Sequence, residues 1–467
     1  MKGPWRILAA ALLAALAAAA VAQPTTPEPR LAYDIFKELI EINTVTATGD
    51  TAKAADAMAA RLLQAGFDPK DVHVFKPAPR KGNLVARLRG TGARKPIMLL
   101  AHIDVVEALP GDWTTDPFKL VEKDGYFYGR GTGDDKYMAA AFVANMIRYR
   151  KEGYRPERDI IVVLETDEEI LDANGVGITW LIKNQRSLID AEFALNEGAG
   201  TGLLAGKAIR IGLQTSEKVP MNLTLEVTNP GGHSSLPVRE NAIYRLANGL
   251  ARLADYPFPV QLNETTRAYF ERAAPFEREE VGRDMRRVAR ATPDPEAAAR
   301  LSRDAGFNAQ LRTTCVATML EGGHAANALP QTARATVNCR VLPGEPLDAV
   351  QAEVVKAIAD DKVVVKSAWK STLSPPSPLN PELMHAVERV AADFWPGAPV
   401  IPTMLAGGTD GAHLRNAGIP TYGHSGLEYD TRERSRAHGK DERVAVKSFY
   451  VGNEYLYRLV KALAGGK

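Results

Sequence analysis

Cysteine is scarce in this chain, with only Cys315 and Cys339 among 467 residues. That excludes a small fold stapled by many disulfides. Aromatic residues make up only 7%, and the formal net charge is just +2. With no basic run, nothing in the composition points to nucleic acid or an acidic membrane surface as a partner. There is no internal repeat and no long low-complexity tract. The chain has no GxGxxG fingerprint and no P-loop, so a dinucleotide or nucleotide-phosphate site has no sequence support. A serine hydrolase lacks support too, because there is no Gly-x-Ser-x-Gly elbow.

Long apolar runs are also missing, except at the start. Lys2 and Arg6 precede an Ala/Leu-rich run from Ile7 to Ala22, and Ala20-Val21-Ala22 fits a small-residue cleavage site. The run is shorter than the roughly 18 to 20 apolar residues a membrane span needs. Residues 1–22 therefore read as a cleaved secretory signal peptide and 23–30 as a linker, which predicts a periplasmic or secreted protein with no membrane attachment after cleavage. In such a compartment the two cysteines meet oxidising conditions. They lie on strand-like runs, Thr313–Leu320 and Thr332–Leu342. If those runs form a hairpin the cysteines face each other; otherwise they are two buried thiols acting as small hydrophobes.

What remains is ordinary globular composition, 45% hydrophobic and 24% charged, in a chain long enough for two or three domains. Residues 30–66 read as helical, with Leu31, Ile35, Leu39 and Ile42 on one face. From there to residue 215 strands and helices alternate. Met221–Thr228, helix Asn241–Leu253, the two cysteine strands, helix Leu347–Ala359 and strand Val363–Trp369 form a βαββαβ series, the order of a ferredoxin-like unit. A charged helical stretch at about 256–310 interrupts it. Ser374-Pro375-Pro376-Ser377-Pro378 marks a return to the first domain. The expected fold is an α/β catalytic domain in two parts, 31–215 and 373–467, with an α+β domain inserted at 216–372.

Three apolar runs end in metal-ligating residue types. Pro96–Ala101 leads to His102-Ile103-Asp104, Asp159–Leu164 leads to Asp167-Glu168-Glu169, and Ala191–Asn196 leads to Glu197. In an open α/β sheet, ligands bind outside the carboxyl ends of the strands. Carboxylates placed directly after buried strands need compensation, and a cation supplies it. With Asp134, Asp135 and His438 they form a mixed His/carboxylate set that suits zinc, with cobalt or manganese possible.

These residues carry a family resemblance. His102-Ile103-Asp104, Gly129–Lys136, Asp167-Glu168-Glu169, Glu197, Gly231-Gly232-His233-Ser234, Gly407-Gly408-Thr409-Asp410 and His438 before Glu442 occur in one order over about residues 31–463. The chain resembles the co-catalytic di-zinc family that includes glutamate carboxypeptidase, acetylornithine deacetylase and succinyl-diaminopimelate desuccinylase. The resemblance implies a mixed-sheet zinc exopeptidase-like catalytic domain with a ferredoxin-like lid that also dimerises. It implies two zinc ions: His102 and Glu197 on one, Glu169 and His438 on the other, and Asp134 bridging. Asp104 would orient the His102 imidazole, and Glu168 would act as general base. His233 would reach a partner subunit's site to stabilise the oxyanion. Asn327 and Arg340 would hold a substrate carboxylate, and Gly407, Gly408 and Thr409 would line the pocket. His73, His324, His413 and His424 are read as structural or solvent-facing.

The sequence departs from the family pattern in two places. Tyr137-Met138 follows Asp135-Lys136 where the family has two glycines, so two large side chains must find room there. The 256–310 stretch enlarges the lid beyond its minimal form; Phe276–Glu280 reads as a solvated helix face, or the stretch extends a dimer interface or the substrate groove. The function implied is an exported zinc-dependent peptidase, a carboxypeptidase-like exopeptidase acting as a homodimer. An N-acyl-amino-acid amidohydrolase shares every motif. A non-catalytic metal-containing binding protein is the more distant alternative, and Glu168 argues against it, since a structural site needs no base.

Overall fold

A computed structural model describes residues 27–367 and 373–466. The signal-peptide reading at 1–22 and the end of the Val363–Trp369 strand lie outside the described residues. No helix among those described is long and apolar enough to cross a membrane.

The organising unit is a mixed eight-stranded sheet. Its strands run in the order Val72–Ala78, Lys81–Leu88, Ile160–Glu165, Ile97–His102, Phe193–Leu204, Thr421–Asp430, Lys207–Glu217 and Val400–Leu405. The three runs expected to carry the site are neighbours and parallel, with His102 beside Glu165 in register. Both strands Ile97–His102 and Ile160–Glu165 are wholly buried. Their alternation explains the unbroken apolar sequence. Ile97, Leu99, Ile160 and Val162 face one core, beneath helices Pro27–Glu41, Lys136–Lys151 and Val446–Ala464. Met98, Leu100, Ile161 and Val163 face a second core, with Ile178, Leu181 and Leu414. A sheet covered on both faces has no polar side to alternate with.

Residues 30–66 form two helices, Pro27–Glu41 and Thr51–Gln64. Asp50 caps the second by accepting from the Lys53 amide, and between them Val45 bridges to Val105 near the site. Tyr137 and Met138 find their room away from the pocket. Both are fully buried in the main core, where the Tyr137 ring packs on Phe449 with centroids 5.7 Å apart. A Cβ at Gly452 would collide with the Tyr137 hydroxyl, so glycine at that helix position makes the space.

The second sheet is antiparallel, in the order Thr314–Gly322, Thr332–Val341, Val219–Thr228, Val364–Ser367. In chain order that is 2-3-1-4, with helices Ala242–Ala254 and Leu347–Ile358 joined to it through one core. This is the ferredoxin-like arrangement the βαββαβ series predicts. Cys315 and Cys339 stand opposite each other in its hairpin and are joined in a disulfide.

The charged stretch departs from its expected place. Helices Glu264–Ala273, Glu279–Val288, Pro295–Leu301 and Ala305–Leu311 do not join the core of the small sheet. They form a separate core with Ile401, on the edge strand Val400–Leu405 of the large sheet. Gln310 Nε2 donates to the Met404 carbonyl at 2.9 Å. The reason is physical: a sheet edge left bare offers unpaired backbone groups, and a helical cover removes that liability.

Both chain crossings between the sheets converge on one guanidinium. Arg415 Nη2 lies 2.6 Å from Glu217 Oε1, at the end of strand Lys207–Glu217, and its Nε donates to Ser374 Oγ at 2.8 Å. Thr409 Oγ1 donates to the other Glu217 oxygen at 2.7 Å, which ties the Gly407–Thr409 loop to the same point.

His424 is a structural histidine with a pH consequence. Its Nδ1 lies 2.7 Å from the Gly212 carbonyl and its Nε2 lies 2.7 Å from the Tyr455 hydroxyl. The neutral ring therefore donates at Nδ1 and accepts at Nε2. Burial pushes its pKa down from 6.5 to about 4. The unfolded state then binds the extra proton first, so this contribution to stability is complete above pH 6.5 and erodes as pH falls toward about 4. A displacement of that size is worth about 3 kcal/mol. Urea unfolding at pH 7 and pH 4 should show the wild type losing about that much more stability than His424→Gln; parallel losses would contradict it.

Candidate metal centre

Asp134 is the centre of the site. It is presented by the turn Gly129–Gly133, where Gly129 and Gly131 have positive φ (157° and 88°) that side chains rarely adopt. The turn needs an acceptor for its exposed amides, and Glu442 supplies it. Glu442 Oε1 accepts from the Gly133 and Asp134 amides at 2.8 and 3.2 Å. Its Oε2 accepts from Gly131 N at 3.1 Å and from Arg130 Nη1 at 2.7 Å. Nothing in the motif spacing singles out Glu442 for this task. The sequence offers only its closeness to His438, four residues earlier.

From this cradle Asp134 faces two histidines. Its Oδ1 is 2.9 Å from His102 Nε2 and its Oδ2 is 3.1 Å from His438 Nε2. His438 Nε2 also lies 2.9 Å from Glu169 Oε2, and His102 Nε2 lies 3.9 Å from Glu197 Oε1. The structure thus gathers His102, Asp134, Glu169, Glu197 and His438, with Asp134 between two groups. Ligand atoms of His102, Glu168 and Glu197 lie within 4.8 Å of one another, as do those of His102, Asp134 and Glu169.

Asp104 lies against the His102 imidazole. His102 Nδ1 lies 3.1 Å from the Asp104 main-chain carbonyl and 3.7 Å from its carboxylate. The carbonyl therefore fixes the ring, leaving Nε2 to face Asp134. The Asp104 carboxylate also accepts from the amides of Glu168 and Glu169, at 3.3 and 3.2 Å, and from Thr46 Oγ1 at 3.2 Å. It holds the turn that presents both glutamates. Asp167 anchors that turn from the other side. It adopts a left-handed conformation, φ 70°, and pairs with Lys81 Nζ at 2.5 Å and Asn174 Nδ2 at 2.8 Å.

The electrostatics describe a site short of positive charge. Burial, then the like charge of Glu197, raises the Glu168 pKa well above the ordinary range. Burial, then Asp134, pushes Glu197 up to about 8. Burial would raise Asp134 as well, but hydrogen bonds from His102 and His438 outweigh it and hold it low. Hydrogen bonds to Asp134 and Glu169 lift His438 to about 10. Carboxylates that retain protons, beside a histidine that will not release one, are what a cation would relieve. The donor set, two imidazoles and three carboxylates around a shared oxygen pair, fits two divalent ions that accept N and O ligands.

The lid residues stand elsewhere. His233 is exposed on the short strand Gly232–His233, which pairs with Ala328–Leu329. Its Nδ1 accepts from Ser235 Oγ at 2.7 Å, and no contact joins it to the metal-site residues among those described. Asn327, also exposed, accepts the Ser234 amide through its carbonyl at 3.0 Å, so it shares that loop cluster with His233. Arg340 is half-buried, with no carboxylate in ion-pair range among the described residues. Burial lowers its pKa. Gly407 and Gly408 are partly exposed, whereas the Thr409 hydroxyl is committed to Glu217. His73 stacks on Phe75, and His413 lies 4.0 Å from Asp410.

Residues 98–462 match the profile of Peptidase family M20/M25/M40. The N-fatty-acyl-amino acid synthase/hydrolase PM20D1 of Xenopus tropicalis is 31% identical over 394 residues, covering 83% of this chain and 74% of that protein. A probable carboxypeptidase S-like 2 of Dictyostelium discoideum is 30% identical over 383 residues, covering 79% and 71%. Among solved structures, the M20 family metallo-carboxypeptidase Sso-CP2 of Sulfolobus solfataricus superposes with a TM-score of 0.66 at 19% identity, covering 92% of this chain and 98% of that one.

Proposed function

The chain belongs to peptidase family M20/M25/M40, and from that premise we propose that it hydrolyses the amide bond to a terminal amino acid that carries a free carboxylate. That bond is the last one in a peptide and the only one in an N-acyl amino acid. The carboxypeptidase-like reading leads, and similarity to the PM20D1 hydrolases favours the N-acyl form as the second. The observation that carries the proposal is Asp134 standing between two donor groups with Glu168 buried beside one of them.

His102, Asp134 and Glu197 would hold one zinc ion, and Asp134, Glu169 and His438 the other, with cobalt or manganese as substitutes. When bound, the pair would acidify a water and polarise the scissile carbonyl. The chain's own residues do the rest. Glu168, made basic by burial and by Glu197, takes a proton from the attacking water and passes it to the departing amine nitrogen. Asp104 keeps Glu168 in place through its amide. Arg340, with no acidic partner among the described residues, offers a guanidinium fork to the substrate carboxylate beside Asn327.

The exposure of His233, with no contact to the metal-site residues among those described, supports a role in a partner subunit's site. Strand Thr314–Gly322 is the edge of the lid sheet, with Val316, Met319 and Leu320 exposed at 61%, 58% and 65%. A second copy pairing along this strand would give a two-fold dimer, cover those side chains and carry His233 across. The signal-like N-terminus and the Cys315–Cys339 disulfide support export to an oxidising compartment.

The test is a zinc-loaded screen of dipeptides and N-acyl amino acids, each with a free or an amidated carboxylate. Hydrolysis restricted to free carboxylates is expected. Equal rates on the amidated set would contradict the recognition proposed, and no hydrolysis with zinc, cobalt or manganese would contradict the activity.

A further inference from the structure

The two ion sites proposed above differ in what holds their ligands. His102 and Glu197 belong to strands of the large sheet, Ile97–His102 and Phe193–Leu204. His438 comes instead from the loop 431–442, between strands Thr421–Asp430 and Arg443–Ala445, and every residue from Arg432 to His438 is exposed. His438 and Asp441 both have left-handed backbone, with φ 63° and 54°. Residues with side chains persist in that region only where their surroundings fix them. A loop of this kind needs a brace before its histidine can serve as a ligand.

Arg130 is placed to be that brace. It is buried, and its two terminal nitrogens serve different partners. Nη1 donates to Glu442 Oε2, under the Asp134 turn, at 2.7 Å. Nη2 donates to the Gly439 carbonyl at 2.9 Å and to the Glu107 carbonyl at 3.3 Å. Gly439 follows His438 directly, so this nitrogen grips the backbone beside the ligand. The Trp113 ring lies against the guanidinium, with its centroid 5.1 Å from Cζ. The segment from Val106 to Thr114 completes the clamp. Its Val106 amide donates to Glu169 Oε1 at 3.3 Å. The Thr114 amide and hydroxyl donate to Asp441 Oδ1 at 2.8 and 3.0 Å. One segment therefore touches both Glu169 and the His438 loop, and Arg130 ties the two together. Among the described residues Arg130 makes no hydrogen bond to His102 or Glu197.

We propose that Arg130 is a positioning residue for one ion of the pair: its Nη2 arm sets the affinity of the ion held by Glu169 and His438, and leaves the ion held by His102 and Glu197 alone. The inference rests on the two-ion reading above. The two arms are separable. Without Arg130, Glu442 still accepts from the amides of Gly131, Gly133 and Asp134, so the turn that presents Asp134 keeps its acceptor. The Gly439 and Glu107 carbonyls would each lose a charged donor, and His438 would be left on a loose, exposed loop. Lysine at this position keeps a countercharge for Glu442. Its single nitrogen cannot reproduce a planar fork that reaches a carboxylate and two carbonyls at once. Arg130→Lys therefore opens the clamp while sparing the cradle.

The test titrates zinc into chelator-treated wild type, Arg130→Lys and Arg130→Met in competition with a chromophoric chelator, and repeats the titration with cobalt, whose visible absorption reports the surroundings of each ion. Arg130→Lys should bind one ion as tightly as wild type and the other about 10- to 100-fold more weakly, the range typical of a lost support behind a ligand. The absorption added by the second cobalt equivalent should change, and that added by the first should not. Excess zinc should restore most of kcat in Arg130→Lys, which a general loss of structure would not allow. Arg130→Met should weaken the second ion at least as much. If one variant does not fold, the other decides. Equal weakening of both ions in a folded variant, or affinities unchanged from wild type, would overturn the role of Arg130 while leaving the two-ion reading intact. A wild type that holds only one ion would overturn both.

Discussion

Glu168→Gln should lower turnover by about a thousandfold, within the roughly 10²- to 10⁴-fold span that general acid–base groups supply, while leaving metal content unchanged. Position and environment both point to this result. Glu168 is buried, stands in the cluster with His102 and Glu197, and has its pKa raised by burial and by Glu197. Cations held nearby would ionise this carboxylate, and an ionised carboxylate in that cluster can take the proton of the attacking water. Glutamine keeps the shape and removes the proton-carrying function. Removing a buried acid should not lower the melting temperature. If Glu168→Gln loses metal along with activity, Glu168 is a ligand and the division of labour with Glu169 fails. Near-normal turnover would end the mechanism altogether.

Asp134→Ala should abolish tight binding of both ions, and activity with them. Its two oxygens face His102 and His438 separately, at 2.9 and 3.1 Å. A change in a residue that only orients a ligand typically costs about 10- to 100-fold in affinity; loss of a shared ligand should cost more, at both positions. His438→Ala supplies the contrast. His438 is the most exposed member of the set, with its side chain 58% accessible, and it touches only one group. That variant should retain one tightly held ion per chain. Metal analysis after dialysis against a weak chelator separates the cases, and equal metal loss in the two variants would contradict a bridging role for Asp134.

Much of this was legible in the sequence because buried parallel strands leave an unmistakable trace. Leu99-Leu100-Ala101 and Ile161-Val162-Val163 are apolar on both faces, and the polar residues after each run must sit at the sheet's carboxyl end. The ferredoxin-like order was readable for a related reason, since half-buried strands alternate and Val219–Thr228 does so throughout. Other features were not, because they depend on contacts between residues far apart in the chain. Glu442 meets the Gly131 and Gly133 amides across more than 300 positions. The Asp104 carboxylate, 3.7 Å from His102 Nδ1, also accepts the Glu168 and Glu169 amides, contacts that no motif encodes. The helices from Glu264 to Leu311 read as an enlargement of the lid because they interrupt it in sequence. Where they pack is decided by Tyr269, Phe270 and Ile401, whose partnership has no local signature.

The most direct test of a two-metal hydrolytic centre is a zinc titration of chelator-treated protein, with bound metal and hydrolysis of an N-acyl amino acid tracked together. Binding should saturate at two ions per chain, protons should be released as the ions enter, and full activity should appear only with the second equivalent. Saturation at one ion, or full activity in the metal-free protein, would contradict it.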